Sequence, residues 1–230
     1  MIIAFCGFAG SGKDTAADYL VDFHNFRRMS FAGPLKDTVA AIFGWDRKML
    51  EGRTSYDRKV REQVDTWWAN RLGISHLTPR WVLQNWGTDV LRNAFHQDIW
   101  IASLENKLRH DDTDIVVTDA RFPNEMKSIK SVGGYIIRIK RGDDPTWIDD
   151  ARIVNSGPSN LNYEKSLNNL NQLRVHYSER NWIDEPVDFI IENDGNIDQL
   201  FEKIENLISN LESNHLASMA NQPQVVNADS

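Results

Sequence analysis

Short apolar segments alternate along the chain with longer segments in which apolar residues recur every three or four positions. Short apolar runs are typical of strands buried in a parallel sheet, whereas the longer spacing indicates helices. We therefore predict strands at residues 1–6, 28–32, 115–119, 135–140 and 187–191. Because strands and helices alternate, the chain is predicted to be an α/β protein with helices covering both faces of a parallel sheet.

The stretches between these strands set the predicted organisation. Residues 45–110 are charged, contain tryptophans and have mostly helical periodicity, so we expect an inserted helical segment there. Residues 141–185 are polar and rich in Asn, Asp and Arg, and we expect a lid-like insertion that closes over a ligand. Residues 214–230 lack periodicity and predict a disordered tail, which leaves a single domain at residues 1–213.

A glycine-rich turn at residues 7–15 joins the first predicted strand to the first helix. This context is that of a phosphate-binding P-loop, whose backbone N–H groups face inward at the positive end of a helix. Lys13 would reach the outer phosphates of a nucleotide, whereas a turn that merely links buried elements leaves Lys13 without a purpose. Asp14 follows the lysine, and the hydroxyl comes one position later, at Thr15. GTPases and most P-loop motors need it directly after the lysine, so this order favours a small-molecule kinase.

The amino-acid composition limits the kinds of molecule and the cellular compartment that suit this chain. The 230 residues carry a formal net charge of -7, which argues against non-specific binding to nucleic-acid polymers. The single cysteine, Cys6, excludes an internal disulfide and fits a reducing cytoplasm. No apolar stretch has transmembrane length, so we expect a cytoplasmic protein without a membrane partner.

Asp119 and Arg121 follow directly on the apolar run that begins at Ile115. Ligands of open α/β sheets bind outside the carboxyl ends of the strands, which would place both side chains beside the P-loop. Asp119 could then hold magnesium or its waters, and Arg121 could contact phosphate. A surface Asp–Arg pair is the alternative.

A polar stripe is predicted on the helix that begins after Thr78, where Pro79 suits the first turn. Arg80, Gln84 and Thr88 are four residues apart and share one side of this helix. Its apolar side would carry Val82, Leu83, Trp86 and Val90. The stripe could bind a phosphate through Arg80 and a base edge through Gln84, or it could be an ordinary solvated face.

Taken together, these motifs resemble those of the bacteriophage deoxynucleoside monophosphate kinases. The similar stretches are Gly-x4-Gly-Lys-Asp-Thr at 7–15, Ala32-Gly33-Pro34-Leu35-Lys36-Asp37, Gln84 with Gly87-Thr88-Asp89, Thr118-Asp119-x-Arg121, His176-x-Ser178-Glu179 and Asn193-Asp194-Gly195. The resemblance covers residues 1–141 and resumes from 176 to about 206, while residues 142–175 have no counterpart. It implies a three-layer P-loop kinase fold in which residues 45–110 bind substrate. It also implies transfer of the γ-phosphate of ATP to a deoxynucleoside monophosphate, with Mg²⁺.

The resemblance also implies residue roles. Lys13, Asp119 and Arg121 would be catalytic, and Thr15 and Asp119 would hold the metal directly or through water. The loop residues around the ATP phosphates would be Gly10, Ser11, Gly12, Lys13, Asp14 and Thr15. The substrate contacts would be Lys36, Arg80, Gln84, Thr88, Trp100 and Arg121. Trp100 would either stack on the base or pack in the core.

Two other functions fit parts of the same pattern. One is another P-loop small-molecule kinase, of the phosphomevalonate or dephospho-coenzyme A type. The other is a non-catalytic nucleotide-binding sensor, although the combination of Asp119, Arg121 and Arg80 argues against it because ATP binding alone needs no second phosphate site. We expect a kinase that supplies DNA precursors in the host cytoplasm if it is phage-encoded. A homodimer remains open.

Overall fold

A computed structural model describes residues 1–220 of the chain, with side chains described as far as residue 213. Its centre is a five-stranded, fully parallel sheet with the strand order β2-β3-β1-β4-β5. The strands are β1 (Ile2–Cys6), β2 (Arg27–Met29), β3 (Ile115–Val117), β4 (Tyr135–Lys140) and β5 (Phe189–Glu192). Every predicted strand segment therefore contributes to the sheet. β2 begins one residue and ends three residues earlier than predicted, and β5 is displaced by one or two residues toward the C-terminus.

Twelve α-helices and one π-helical segment, Asn85–Asn93, surround the sheet in the described part of the chain. The α-helices are α1 (Lys13–His24), α2 (Gly33–Phe43), α3 (Arg47–Glu51), α4 (Ser55–Arg61), α5 (Thr66–Leu72), α6 (Pro79–Gln84), α7 (Ile99–Leu108), α8 (Pro123–Ser131), α9 (Ile148–Asn155), α10 (Tyr163–Gln172), α11 (Tyr177–Arg180) and α12 (Ile197–Ala220). In this part of the chain no helix is both long and apolar enough to span a membrane.

The sheet separates two hydrophobic clusters, as its central strand shows. Ile3 and Phe5 of β1 pack with α1 and α12, whereas Ala4 and Cys6 pack with α2, α7, α8 and α9. Successive side chains of a strand point to opposite faces, so a continuous apolar run is buried on both sides. The three-layer α/β fold predicted from the alternating pattern is confirmed.

The helix predicted after Thr78 begins as expected and then changes type. Thr78 accepts a hydrogen bond from the backbone N–H of Trp81, which caps α6. Beyond Gln84 the chain widens into the π-helical segment, and the prediction of one continuous α-helix is wrong there. The wider turn rotates later residues away from the α-helical pattern, and Val90 is exposed whereas Val82 is buried.

The segment at residues 141–185 contains three helices, and two of them, α9 and α10, pack against each other. Despite its polar composition, Ile148, Ala151, Val154 and Leu170 are buried in the same cluster as the sheet. Its role as a lid stays a prediction. At the other end of the chain, α12 includes the first seven residues of the predicted tail, and residues 221–230 lie outside the described part.

Candidate active site

The P-loop leaves β1 at its carboxyl end and leads into α1. Gly7, Gly10 and Gly12 have φ values of 136°, 77° and 103°, in the left-handed region that side chains with a Cβ rarely adopt. Gly12 is the N-cap of α1, and a Cβ there would also collide with the amide nitrogen of Asn193. The loop therefore places backbone N–H groups at a helix N-terminus, as phosphate binding requires.

Lys13 is folded back into this loop. Its Nζ donates hydrogen bonds to the carbonyl oxygens of Gly7 at 2.8 Å and Phe8 at 2.7 Å, and it lies 3.5 Å from Ser11 Oγ. Burial, and to a smaller extent the charge of Arg121, lower the pKa of Lys13 to about 8. The lysine is thus partly desolvated, which strengthens its attraction to an anion.

Asn193 supports the P-loop from the turn between β5 and α12. Its Nδ2 donates to the carbonyl oxygen of Ser11 at 2.8 Å, and the side chain is buried. Its neighbour Asp194 accepts a hydrogen bond from the backbone N–H of Gly142 at 2.6 Å. The Asn193-Asp194 pair therefore connects the P-loop to the start of the 141–185 segment.

Phe8, in the P-loop, forms a second connection to that segment. Its ring makes edge contacts with Trp147 at 5.5 Å and Trp182 at 4.9 Å between centroids. The Arg138 guanidinium of β4 lies 5.2 Å from the centroid of the Trp182 ring. The loop is consequently held from the insertion side by aromatic packing.

Asp14 and Thr15, the two residues after the loop lysine, have different surroundings. Asp14 forms an ion pair with Arg28 of β2, whose guanidinium also donates to the Thr118 hydroxyl at 3.1 Å. Thr15 is half-buried in the first turn of α1. Thr15 therefore supplies a hydroxyl in the first turn of α1, two residues after the loop lysine.

Asp119 lies beyond the end of β3 and binds backbone. Its two carboxylate oxygens accept hydrogen bonds from the N–H groups of Phe31 at 3.0 Å and Ala32 at 3.1 Å, which fixes the entry to α2. A carboxylate has about four lone-pair sites, so Asp119 can also accept from a metal-bound water. Residues 1–213 contain no group of three or more His, Cys, Asp or Glu side chains arranged to bind a metal.

Cationic side chains gather around His176. The histidine caps α11 through Nδ1, which lies 2.8 Å from the Ser178 hydroxyl. Its pKa is lowered mainly by burial and also by the charges of Arg121, Arg180 and Arg80, while Glu179 acts in the opposite direction. The fold thus brings Arg80, Arg121 and Arg180, which are far apart in the sequence, within electrostatic range of His176, and we call these residues the cationic region.

Lys36 and Arg80 both have carboxylate partners. Lys36, near the start of α2, is 2.5 Å from Glu51 Oε2 and is largely buried. Arg80 is exposed and lies 3.4 Å from Glu62. Exposed pairs of this kind contribute little to stability, so Arg80 can exchange Glu62 for a phosphate at low cost.

A cleft of about 590 Å³ lies beside this region. Its walls come from three parts of the chain, and the lining residues are Thr88, Arg92, Asn93, Gln97, Phe122, Pro123, Asn124, Lys127, Tyr177 and Asn181. Thr88 is the one member of the predicted stripe among these residues, since Arg80 and Gln84 are exposed outside the lining. The structure therefore divides the stripe where α6 gives way to the π-helical segment.

Trp100 lies in the hydrophobic core rather than in the cleft. It is 6% exposed, and its indole N–H donates to the carbonyl oxygen of Gly87 at 2.9 Å. Trp100 is expected either to stack on the base or to pack in the core, and the structure places it in the core. Trp100 holds the π-helical segment from behind, and stacking on the base is not proposed.

Two residues of this region, Arg92 and Glu125, were missed by the sequence analysis. Arg92 continues the spacing of four from Arg80 through Gln84 and Thr88, so the stripe could have been extended to it. Glu125 resembles an ordinary acidic residue in the first turn of α8, and no feature of the sequence indicates its burial.

The sequence profile of the deoxynucleotide monophosphate kinase family matches residues 51–178, which is more than half of the chain. The chain belongs to the deoxynucleotide monophosphate kinase family. This kinase has the phosphotransferase function that the P-loop and the cationic region indicate.

Relatives of this kinase occur in several viruses. A protein of Acanthamoeba polyphaga mimivirus named as a deoxynucleotide monophosphate kinase is 36% identical over 155 residues, covering 61% of this chain and 74% of its own. The deoxynucleoside-5'-monophosphate kinase of Escherichia phage T5 is 28% identical over 54% of this chain and 70% of its own. The deoxynucleotide monophosphate kinase of Enterobacteria phage T4 is 22% identical, over 90% of this chain and 98% of its own.

Solved structures are more distant. Shikimate kinase from Aquifex aeolicus matches 94% of this chain and 99% of its own, with 15% identity and a TM-score of 0.42. These values are too low to support a functional comparison.

Proposed function

We propose that this kinase transfers the γ-phosphoryl group of ATP to the phosphate of a deoxynucleoside monophosphate, giving ADP and the diphosphate for DNA synthesis. One observation carries the proposal. The charge of Arg121 lowers the pKa of Lys13, so a cation suited to an acceptor phosphate lies within electrostatic range of the P-loop lysine. Adjacent sites for a donor and an acceptor phosphate are what transfer between two nucleotides requires.

The donor site is the P-loop. Residues 10–15 surround the ATP phosphates, and Lys13 exchanges the carbonyl oxygens of Gly7 and Phe8 for phosphate oxygens. The charged ammonium loses two neutral acceptors and gains an anionic one, which favours binding. Lys13 then follows the phosphoryl group as it moves toward the acceptor.

Mg²⁺ fits the same site through the Thr15 hydroxyl and, by way of water, the carboxylate of Asp119. The Asp119 oxygens each accept one backbone N–H and retain free lone pairs, which suits an outer role better than direct ligation. When bound, the metal neutralises charge on the phosphate oxygens.

The acceptor site is the positively charged region around His176. Arg80 and Arg121 are exposed, and both can approach an incoming monophosphate. Lys36 lies near the start of α2 with Glu51, where it can add positive charge at the edge of this site. The neighbouring cleft, which includes Thr88, is large enough for the nucleoside portion. Gln84 is assigned to its rim.

Phosphoryl transfer requires the protein to align the two substrates and to stabilise negative charge on the transferred group, without forming a covalent bond to the protein. Lys13 and Arg121 stabilise the negative charge that is shared between donor and acceptor during transfer. Closure of the site against water would strengthen both interactions because the local dielectric falls. The 141–185 segment, in contact with the P-loop through Phe8, is our candidate for that closure.

Family membership supports this function over the other two considered. A sensor needs only the donor site, and neither Arg80 nor Arg121 would then have a ligand. Kinases for phosphomevalonate or dephospho-coenzyme A need a different acceptor. The family match at residues 51–178 includes nine of the ten residues that line the cleft, together with Arg80, Arg121 and His176.

A coupled assay of ADP release tests the proposal with each of the four common deoxynucleoside monophosphates. We expect turnover with at least one of them, and loss of about 10²–10³-fold in kcat for Lys13→Ala because a positioned charge is removed from the transition state. Lys130→Ala is the matched control, since Lys130 is an exposed lysine paired with Asp188. Wild-type protein that phosphorylates none of the four would refute the proposal.

A further inference from the structure

A buried ion pair between Arg92 and Glu125 lies against the wall of the cleft. Neither the donor site nor the acceptor phosphate site uses it. Glu125 of α8 is 2% exposed, and its Oε1 accepts a hydrogen bond from Arg92 Nη2 at 3.0 Å. Burying such a pair costs desolvation energy, and an apolar pair of similar size is often at least as stable. Stability alone is therefore a weak reason for this pair to be present.

Glu125 joins two parts of the proposed acceptor site. Its second oxygen, Oε2, accepts a hydrogen bond from the backbone N–H of Arg121 at 2.9 Å. One carboxylate therefore fixes a side chain of the cleft wall and the backbone of a residue assigned to phosphate. Arg92 and Arg121 are the two donors, and both residues face the proposed substrate site. The accepting carboxylate of Glu125 is buried.

Arg92 is held in one orientation. Glu125 binds one end of its guanidinium, and the group lies 4.8 Å from the centroid of the Phe122 ring, which adds a cation–π contact. Within the described side chains, Glu125 is the acceptor that Arg92 contacts, although a guanidinium has five N–H donors. The remaining donors are available to a ligand in the cleft.

The π-helical segment brings Asn93 to the same wall as Thr88 and Arg92. Its i→i+5 hydrogen bonding brings residues five apart onto one side, so Thr88 and Asn93 line the cleft together with Arg92. In an α-helix Thr88 and Asn93 would face different directions. Segments of this type occur frequently at functional sites.

From this geometry we propose that Arg92 binds the base of the monophosphate, and that Glu125 is a positioning residue that orients Arg92 and the Arg121 backbone together. The inference rests on the proposed function. Phosphate already has Arg80 and Arg121, whereas the cleft offers an aromatic wall of Phe122 and Tyr177 beside the Arg92 donors. A planar base with carbonyl or ring-nitrogen acceptors matches that surface.

The test separates the base from the phosphate with 2-deoxyribose 5-phosphate, a sugar phosphate without a base, used as a competitive inhibitor. Arg92→Gln should raise KM for the accepted monophosphates about tenfold or more, because a charged hydrogen bond is lost. Its inhibition constant for the sugar phosphate and its KM for ATP should stay within about twofold of wild type.

Glu125→Gln should behave differently, because it disturbs both Arg92 and Arg121. It should raise KM for the monophosphates and also the inhibition constant for the sugar phosphate. In the double variant the increase in KM should be smaller than the product of the single effects, as coupled residues require. Lys130→Gln, which breaks an ion pair of the same helix with Asp188, should change none of these values.

Each alternative outcome is decisive. If Arg92→Gln weakens the sugar phosphate as much as the monophosphate, Arg92 binds phosphate and the assignment to the base is wrong. If both variants unfold at lower temperature with unchanged KM, the pair is structural and the inference fails. If Glu125→Gln does not fold, Glu125 is needed for the structure and its assignment as a positioning residue is wrong, while Arg92→Gln still decides the assignment to the base. Inactive wild-type protein overturns the proposed function itself, and this inference with it.

Discussion

The P-loop and the cleft are assembled in contrasting ways. The P-loop is one continuous segment, residues 7–15, whose shape is set by its own glycines at positive φ. The cleft takes its walls from residues 88–97, 122–127 and 177–181. A local motif carries its geometry in the sequence, whereas a surface made from distant segments exists only after tertiary packing.

The pKa shifts in these two regions also have opposite directions. In the P-loop, burial lowers the pKa of a cation, Lys13, to about 8. Beside the cleft, burial and then the charge of Asp119 raise the pKa of an acid, Glu125, to about 7, although Arg92 and the Arg121 N–H oppose the rise. Burial disfavours the charged form in both cases. Lys13 should therefore lose its positive charge as the pH rises above neutrality, whereas Glu125 should lose its negative charge as the pH falls through neutrality.

The largest predicted effect tests whether the P-loop depends only on its own residues. Gly12→Ala should lower kcat/KM for ATP by about 100-fold or more, because the new Cβ meets Asn193 in addition to the strained φ. Gly10→Ala is the matched control, since its φ is also positive but its Cβ has open space. Equal losses in steady-state kinetics would mean that φ alone matters and that Asn193 gives no support.

A second prediction uses the pKa of Lys13. The charged form binds phosphate, so ATP affinity should fall about tenfold as pH rises from 7 to 9 through the lowered pKa of about 8. Binding should also take up a proton near pH 8, because ATP stabilises the protonated lysine. Calorimetry in two buffers of different ionisation enthalpy measures both quantities. Affinity that is constant over this range would place Lys13 away from the phosphates.

The smallest kinetic effect is expected behind the cleft. Trp100→Phe removes the N–H that binds the Gly87 carbonyl and should cost about 1–3 kcal/mol of stability. KM for every monophosphate should stay within about twofold, because Trp100 touches the core and not the ligand. Thermal unfolding and the substrate panel measure the two effects, with the exposed Trp67→Phe as control. A KM change that differs among bases would restore Trp100 to the binding site.

Much of the fold follows from the sequence, because the strands are short apolar runs and several helices begin at recognisable residues. The run beginning at Ile115 forms β3, and Thr78 with Pro79 begins α6. The π-helical segment could not be predicted in this way, since a pattern of threes and fours presupposes an ordinary α-helix. The burial of Trp100 was likewise open, because its apolar ring suits a core and a base equally well.

The candidate site is predictable to a smaller extent. The P-loop residues are recognisable because phosphate binding needs glycines and a lysine at fixed spacing within one short segment. Arg92 and Glu125 are 33 positions apart, and only the packing of α8 against the π-helical segment makes them a pair. The buried face of the 141–185 segment was hidden for a related reason, since a few scattered apolar residues among many polar ones reveal no continuous stripe.

The support that Asn193 gives to Ser11 has a consequence for how the protein is made. The P-loop is synthesised well before the elements that support it, because β1 pairs with β3 and β4, and Asn193 follows β5. At roughly 5–20 residues per second, the interval between the loop and its support is about ten to forty seconds. An unfinished chain therefore has the P-loop residues and their glycines, but lacks the hydrogen bond from Asn193 that supports the loop. We therefore expect the nucleotide site to reach full affinity only after Asn193 has been made and β5 has joined the sheet.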